Sequence, residues 1–234
     1  MNRSIFRRAL ADCLTASFWI VGAGMLGFGS IARDGGFDLP QALAATAGIW
    51  GLPGQVALVD LRAAGADVVA VVLASSLANA RFMPMSMTVM PLLRAGRRTP
   101  AFFYLLVHLI SANTWVLLAR IQDRLSPRER QRYILFAGLL LMAMAVLATA
   151  VGYLATAALP SALALALIYL GVLFYALAVA DVRERLYALA LLIGAPLGLA
   201  GHWLSPDWGL LATGLVGGSA AFGLEWLLAR RRIP

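Results

Sequence analysis

Arg81 sits midway along an apolar stretch, Ala66 to Leu93, that is long enough to cross a bilayer. An arginine at that depth costs roughly 2.5 to 3.5 kcal/mol on insertion scales, so it faces a partner, a watery cavity or an anionic substrate. Asn79 lies two residues before it, and Pro84 and Pro91 follow, each removing an amide donor from the helical ladder. A second interruption, Gly51-Leu52-Pro53-Gly54-Gln55, lies inside another apolar stretch, 40–60. Paired interrupted segments are the sequence feature that points to a transport site, although proline and glycine also simply kink membrane helices. Gln55, Asn79, Arg81, His108, Ser111, Asn113 and Thr114 are polar groups far inside apolar runs, and each needs a hydrogen-bond partner there. His108 precedes Ser111 by three residues, a spacing that puts both on one helical face. Asp60 and His108 are candidates for proton coupling; an interfacial carboxylate and a structural histidine are the alternative explanations.

The elements that must position these residues are membrane helices. Hydrophobic residues make up 62% of the chain and charged residues 13%, and mean hydropathy is +0.83, whereas a soluble domain carries about a quarter charged residues. No formal charge occurs between Arg132 and Asp181, room enough for two spans. The expected fold class is an all-α polytopic membrane protein of about seven to eight segments, some broken or re-entrant, forming one membrane domain over 1–234. Candidate segments are 14–32, 40–60, 66–93, 100–119, 133–157, 161–180, 186–203 and 208–228.

The net charge of +8 comes from 19 arginines against 11 acids, with no lysine. Most of these arginines flank hydrophobic runs, where they set topology, which argues against nucleic-acid binding. Arg3, Arg7 and Arg8 read as a cytoplasmic tail leading into the first membrane helix. If every segment crosses, Arg94, Arg97 and Arg98 fall outside, against the positive-inside rule; re-entrant segments at 40–60 and 100–119 would bring them inside. Several of the six tryptophans lie near segment ends, as an aromatic belt requires. Gly22, Gly24, Gly27 and Gly29, then Gly194, Gly198 and Gly201, then Gly214, Gly217 and Gly218 have the spacing of close helix packing. Cys13 is alone, so no intramolecular disulfide is expected, and no Cys/His cluster has metal-ligand spacing. No catalytic constellation and no cofactor motif emerge: a hydrolase built on Ser111 and His108 would also need an oxyanion hole, and none is evident.

Four motifs in order carry a family resemblance: Phe28-Gly29-Ser30-Ile31-Ala32, Gly36-Phe37-Asp38-Leu39-Pro40-Gln41-Ala42, Trp50-Gly51-Leu52-Pro53-Gly54-Gln55 and Asn79-Ala80-Arg81-Phe82-Met83-Pro84-Met85. Together they resemble the AzlC (YgaZ-like) family, the large subunit of branched-chain amino acid exporters. The resemblance implies a multi-pass protein of the bacterial cytoplasmic membrane that exports Leu, Val, Ile or Met with a small AzlD-like multi-span subunit. Relative to the family pattern, Phe82 and Met85 replace a histidine and a tyrosine, and Ser111-Ala112-Asn113 lacks the two acids of a Thr-Asp-Glu element. The substrate-binding set expected at the two broken segments is Arg81 for the carboxylate, Gln55 and Asn79 with backbone freed at Gly51 and Gly54 for the ammonium, Phe82, Met83 and Met85 for the aliphatic side chain, and Asn113. Two alternatives stand beside it: export of a different small carboxylate, and a membrane scaffold whose arginine clamps a partner subunit without transport.

Overall fold

Helix is the regular structure that the described residues adopt, and no strand occurs among them, as a backbone without access to water requires. A computed structural model of the chain describes residues 2–94, 96, 99–156, 160, 162–170, 185–204 and 209–230. In chain order the helices are α1 (Asn2–Cys13), α2 (Ala16–Asp34), α3 (Leu39–Ile49), α4 (Leu52–Ala63), α5 (Val68–Ala78), α6 (Phe82–Leu93), α7 (Pro100–His108), α8 (Ala112–Ile121) and α9 (Pro127–Leu154). After them come α10 (162–170), α11 (Arg185–Leu204) and α12 (Gly209–Arg230). They form two compact units, Met1–Val172 and Leu173–Pro234.

Three of the expected segments are each two short helices. The segment 40–60 is α3 and α4, broken at Trp50 and Gly51. The segment 66–93 is α5 and α6, bent by 53° at Asn79 to Arg81. The segment 100–119 is α7 and α8, which turn on each other by 105° in the manner of a re-entrant hairpin. By length and composition, one described helix, Pro127–Leu154, is fit to cross a membrane, or up to four spans if each bent pair is counted as one. Arg97, Arg98 and the whole of 171–184 lie outside the described residues.

Local chemistry explains where these helices restart. Asp38 caps α3, its carboxylate accepting from the Gln41 amide at 2.7 Å, and Asp67 accepts from the Val69 and Ala70 amides at the start of α5. At α8 the Ser111 and Thr114 side chains cap each other's backbone in a reciprocal box. That box corrects the expectation of a single helical face carrying His108 and Ser111: a helix ends at the first and a new one begins after the second.

The hub of the first unit is α9. Its buried residues Ile134, Ala137, Leu141, Ala145, Thr149 and Gly152 follow the three- and four-residue rhythm of one continuous stripe. α2 lies against that stripe at backbone distance: a methyl group at Gly29 would collide with the Thr149 carbonyl, and one at Gly152 with the Leu26 carbonyl. One core cluster centres on Tyr133, Ile134, Leu118 and Leu106, and a second on Phe28, Ala42 and Val59. On α5 the opposite holds: Val68, Val69, Val72, Leu73 and Leu77 are all exposed, a surface suited to acyl chains rather than water. In the second unit α11 and α12 approach closely, a Cβ at Gly217 lying 3.5 Å from the Gly194 Cα.

Candidate functional site

The first break is built around an unusual backbone. Trp50 ends α3 with φ 52° and ψ 32°, a left-handed conformation that costs a bulky residue on the order of 1–2 kcal/mol. It is the one non-glycine residue with positive φ among the described residues. Pro53 falls in the first turn of α4, where the missing amide hydrogen costs nothing; in one unbroken helix it would leave the Ile49 carbonyl without its donor, so it suits a restart after the break. The left-handed turn lets the chain change direction, and Trp50 is 6% exposed with no partner for its indole N–H.

The second break meets the first through Asn79. Its side chain lies against Gly51 and Gly54, so closely that a methyl group on either glycine would collide with the Asn79 amide. The Phe82 ring closes on Gly51 as well, and the Ser75 hydroxyl donates to the Gly54 carbonyl at 2.8 Å. The glycines therefore serve approach between α4 and the α5–α6 corner. The Asn79 carboxamide oxygen is buried and accepts no hydrogen bond.

Gln55 points the other way, into the core. Wholly buried, it donates from Nε2 to the Thr46 hydroxyl at 3.0 Å; Thr46 in turn lies 2.9 Å from the Thr149 hydroxyl and donates to the Ala42 carbonyl at 3.1 Å. This polar thread ties α4 to α3 and α9. The other carboxamide atom, Gln55 Oε1, has no donor.

Arg81 occupies the corner between α5 and α6. It is exposed, makes no ion pair or hydrogen bond among the described residues, and its guanidinium stacks over the Phe82 ring at 5.3 Å from the centroid. A groove of about 670 Å³ runs beside this corner, lined by Trp50, Phe82, Met83, Met87, Arg94 and His108 among others. His108 Nε2 donates to the Ala47 carbonyl at 2.7 Å, pinning the end of α7 to α3.

Four of the expected binding residues thus meet directly, Gly51, Gly54, Asn79 and Phe82, with Arg81 stacked on the last. Met85 does not join them: it packs against the core cluster, and Met83 and Met87 line the groove. Asn113 is buried in the first turn of α8, and Asp60 is exposed in the last turn of α4. Sequence reasoning missed Thr46, Thr149, Ser75 and Trp50. The two threonines carry the signal used for Gln55, a polar side chain inside an apolar run. For Trp50 the clue is an aromatic residue directly before a glycine at a break, too weak to distinguish it from a belt residue.

A family model described as AzlC protein matches residues 17–159, more than half of the chain. The chain belongs to the AzlC family. No curated protein and no solved structure matches it significantly. AzlC proteins are associated with branched-chain amino acid transport, so the chain is a membrane protein of a transport family rather than an enzyme family. The AzlC match takes in both breaks, the polar thread and the groove, and it begins after α1.

Proposed function

We propose that this chain exports hydrophobic amino acids, branched-chain ones and methionine, across the bacterial cytoplasmic membrane as a multi-pass protein paired with a small AzlD-like subunit. The observation that carries the proposal is the set of unpaired groups at the two joined breaks. Asn79 Oδ1 is a buried acceptor without a donor, the Trp50 indole is a buried donor without an acceptor, and no carboxylate pairs with Arg81 among the described residues; Gln55, turned into the core, is not part of this set. A buried unpaired polar group costs about 1–3 kcal/mol, so such a set favours a ligand that supplies the missing partners. A zwitterion brings both: an ammonium with three donors, and a carboxylate that suits a guanidinium fork. The neighbouring Met83 and Met87 offer adaptable apolar surface, consistent with several aliphatic side chains being accepted.

The test is efflux of labelled leucine, valine and methionine from preloaded cells that express the chain with a small AzlD-like subunit, wild type against Arg81→Ala. Export by the wild type and its loss in the variant, at equal membrane abundance, is the expected result. Undiminished efflux from the variant would remove Arg81 from the site. The exposure of Arg81 favours one second reading, contact with the partner subunit. Failure of Arg81→Ala to retain the small subunit on purification, with efflux intact, would establish that role instead.

A further inference from the structure

The segment before the AzlC match carries a pattern that transport does not use. Along α1, Ile5, Ala9 and Cys13 are buried, four residues apart, and face α9. The next stripe round the helix is Phe6, Leu10 and Leu14, of which Phe6 is 40% and Leu14 50% exposed. Arg3 and Arg7, both exposed, lie on the side away from the buried stripe and adjoin the second one, Leu14 just past the helix end projecting between them.

The direction of α1 follows from its contacts. The Phe6 ring meets the Phe136 ring edge to face at 5.4 Å, Asp12 accepts from the Tyr133 hydroxyl at 2.8 Å, and the Cys13 thiol lies 3.7 Å from the Ala137 carbonyl. Between Phe6 and Cys13 α1 advances by roughly 10 Å, while its contacts on α9 stay within about 6 Å, so it crosses α9 rather than running beside it. The chain then turns by 64° into α2. The crossing falls just past Arg128, Arg130 and Arg132, the last charges before the long apolar run of α9. That level is the boundary between headgroups and acyl chains, the depth at which helices lie in the membrane plane.

We propose that α1 is an interfacial helix, lying flat in the bilayer face at which α9 begins, that binds anionic phospholipid headgroups through Arg3 and Arg7. The arginines adjoin the apolar row, and their long side chains reach up from it to the headgroups. Ile5, Ala9 and Cys13 meet protein, Phe6 and Leu14 meet the upper acyl chains, and the two guanidiniums lie at phosphate level, where bidentate hydrogen bonding is strong. The proposal stands apart from the export reading, since it involves neither break.

The experiment uses the full chain in neutral detergent and follows its thermal transition as phosphatidylglycerol or phosphatidylcholine is titrated into the micelles. The expected result is stabilisation by phosphatidylglycerol alone, removed by high salt. In Arg3→Gln/Arg7→Gln the apparent affinity for phosphatidylglycerol should fall roughly 30-fold, about five-fold or slightly more for each arginine near an anionic surface. Both side chains are exposed, so the variant should retain the transition of the wild type in detergent alone. An unchanged lipid response in the variant, no preference for the anionic lipid in the wild type, or equal stabilisation by soluble glycerol phosphate would each overturn the proposal. A second readout is independent of headgroup charge. In a Cys13→Ala background in vesicles, a fluorophore on Leu14→Cys should be quenched by lipid-borne quenchers more than one on Ala11→Cys, and the reverse order would place α1 elsewhere.

Discussion

Gly54→Ala is expected to separate the two breaks, and its cost can be worked from the contacts. A Cβ at Gly54 would lie 2.8 Å from the Ser75 carbonyl oxygen and 2.8 Å from the Asn79 Cγ, roughly 0.7 Å short of ordinary contact. Asn79 can swing aside, but the Ser75 carbonyl is α5 backbone, and that helix must shift. Overpacking of this kind costs about 1–3 kcal/mol, and the gain in helix propensity from glycine to alanine returns up to about 1 kcal/mol. The expected net loss is about 1–2 kcal/mol, or roughly 2–8 °C in thermal midpoint for a chain of this size. Gly51 and Gly48 are the controls. At Gly51 the obstructing atoms belong to the side chains of Asn79 and Phe82, so Gly51→Ala should be partly rescued by Asn79→Ala. At Gly48, inside α3, nothing lies within 4 Å of a Cβ, and Gly48→Ala should raise stability by up to about 1 kcal/mol. Thermal unfolding of the detergent-solubilised chain, beside efflux from cells, gives the order Gly48→Ala above wild type above Gly54→Ala. A Gly54→Ala chain as stable as wild type would refute the close approach of α4 to α5, and with it the joining of the breaks.

Further outcomes follow from the same contacts. Thr46→Val removes the hydroxyl that Gln55 donates to and leaves both Gln55 and Thr149 short of a partner, so it should destabilise by about 1–3 kcal/mol by thermal unfolding. Ser111→Ala takes away the cap of α8 and should cost about 1 kcal/mol, with Ser111→Gly milder. Met83 is 69% exposed in the groove, whereas Met85 packs on the core. Met83→Ala should therefore shift the preference among leucine, valine and methionine in efflux with little change in stability, and Met85→Ala should lower the thermal midpoint.

Composition and pattern made the helical class, the lipid setting and the places of interruption legible, because a charged or helix-breaking residue inside an apolar run is conspicuous along one dimension. The order of four short motifs was enough to point to the AzlC family, which a match over residues 17–159 bears out. The glycines at 22 to 29 were readable as packing residues, and they serve three neighbours: Gly22 and Gly29 meet α9, Gly24 meets Leu52 of α4, and Gly27 meets the 164–168 stretch. What each interrupted segment does was settled only by packing. Pro53 marks a helix restart in the sequence and takes that place in the first turn of α4, but only the tertiary structure gives the reversal to Trp50, whose left-handed backbone no propensity favours. His108 and Ser111 share a face by spacing, and a capping box divides them. Met83 and Met85 are two residues apart and chemically alike; the direction each takes from α6 sends one to the groove and the other to the core. The joining of Asn79 to Gly51 and Gly54 spans 28 and 25 residues of chain, and the thread that holds Gln55 runs through Thr46 to Thr149, 103 residues from it. Contacts of that range depend on how close backbones come, a quantity set by every packed layer together and written at no single position.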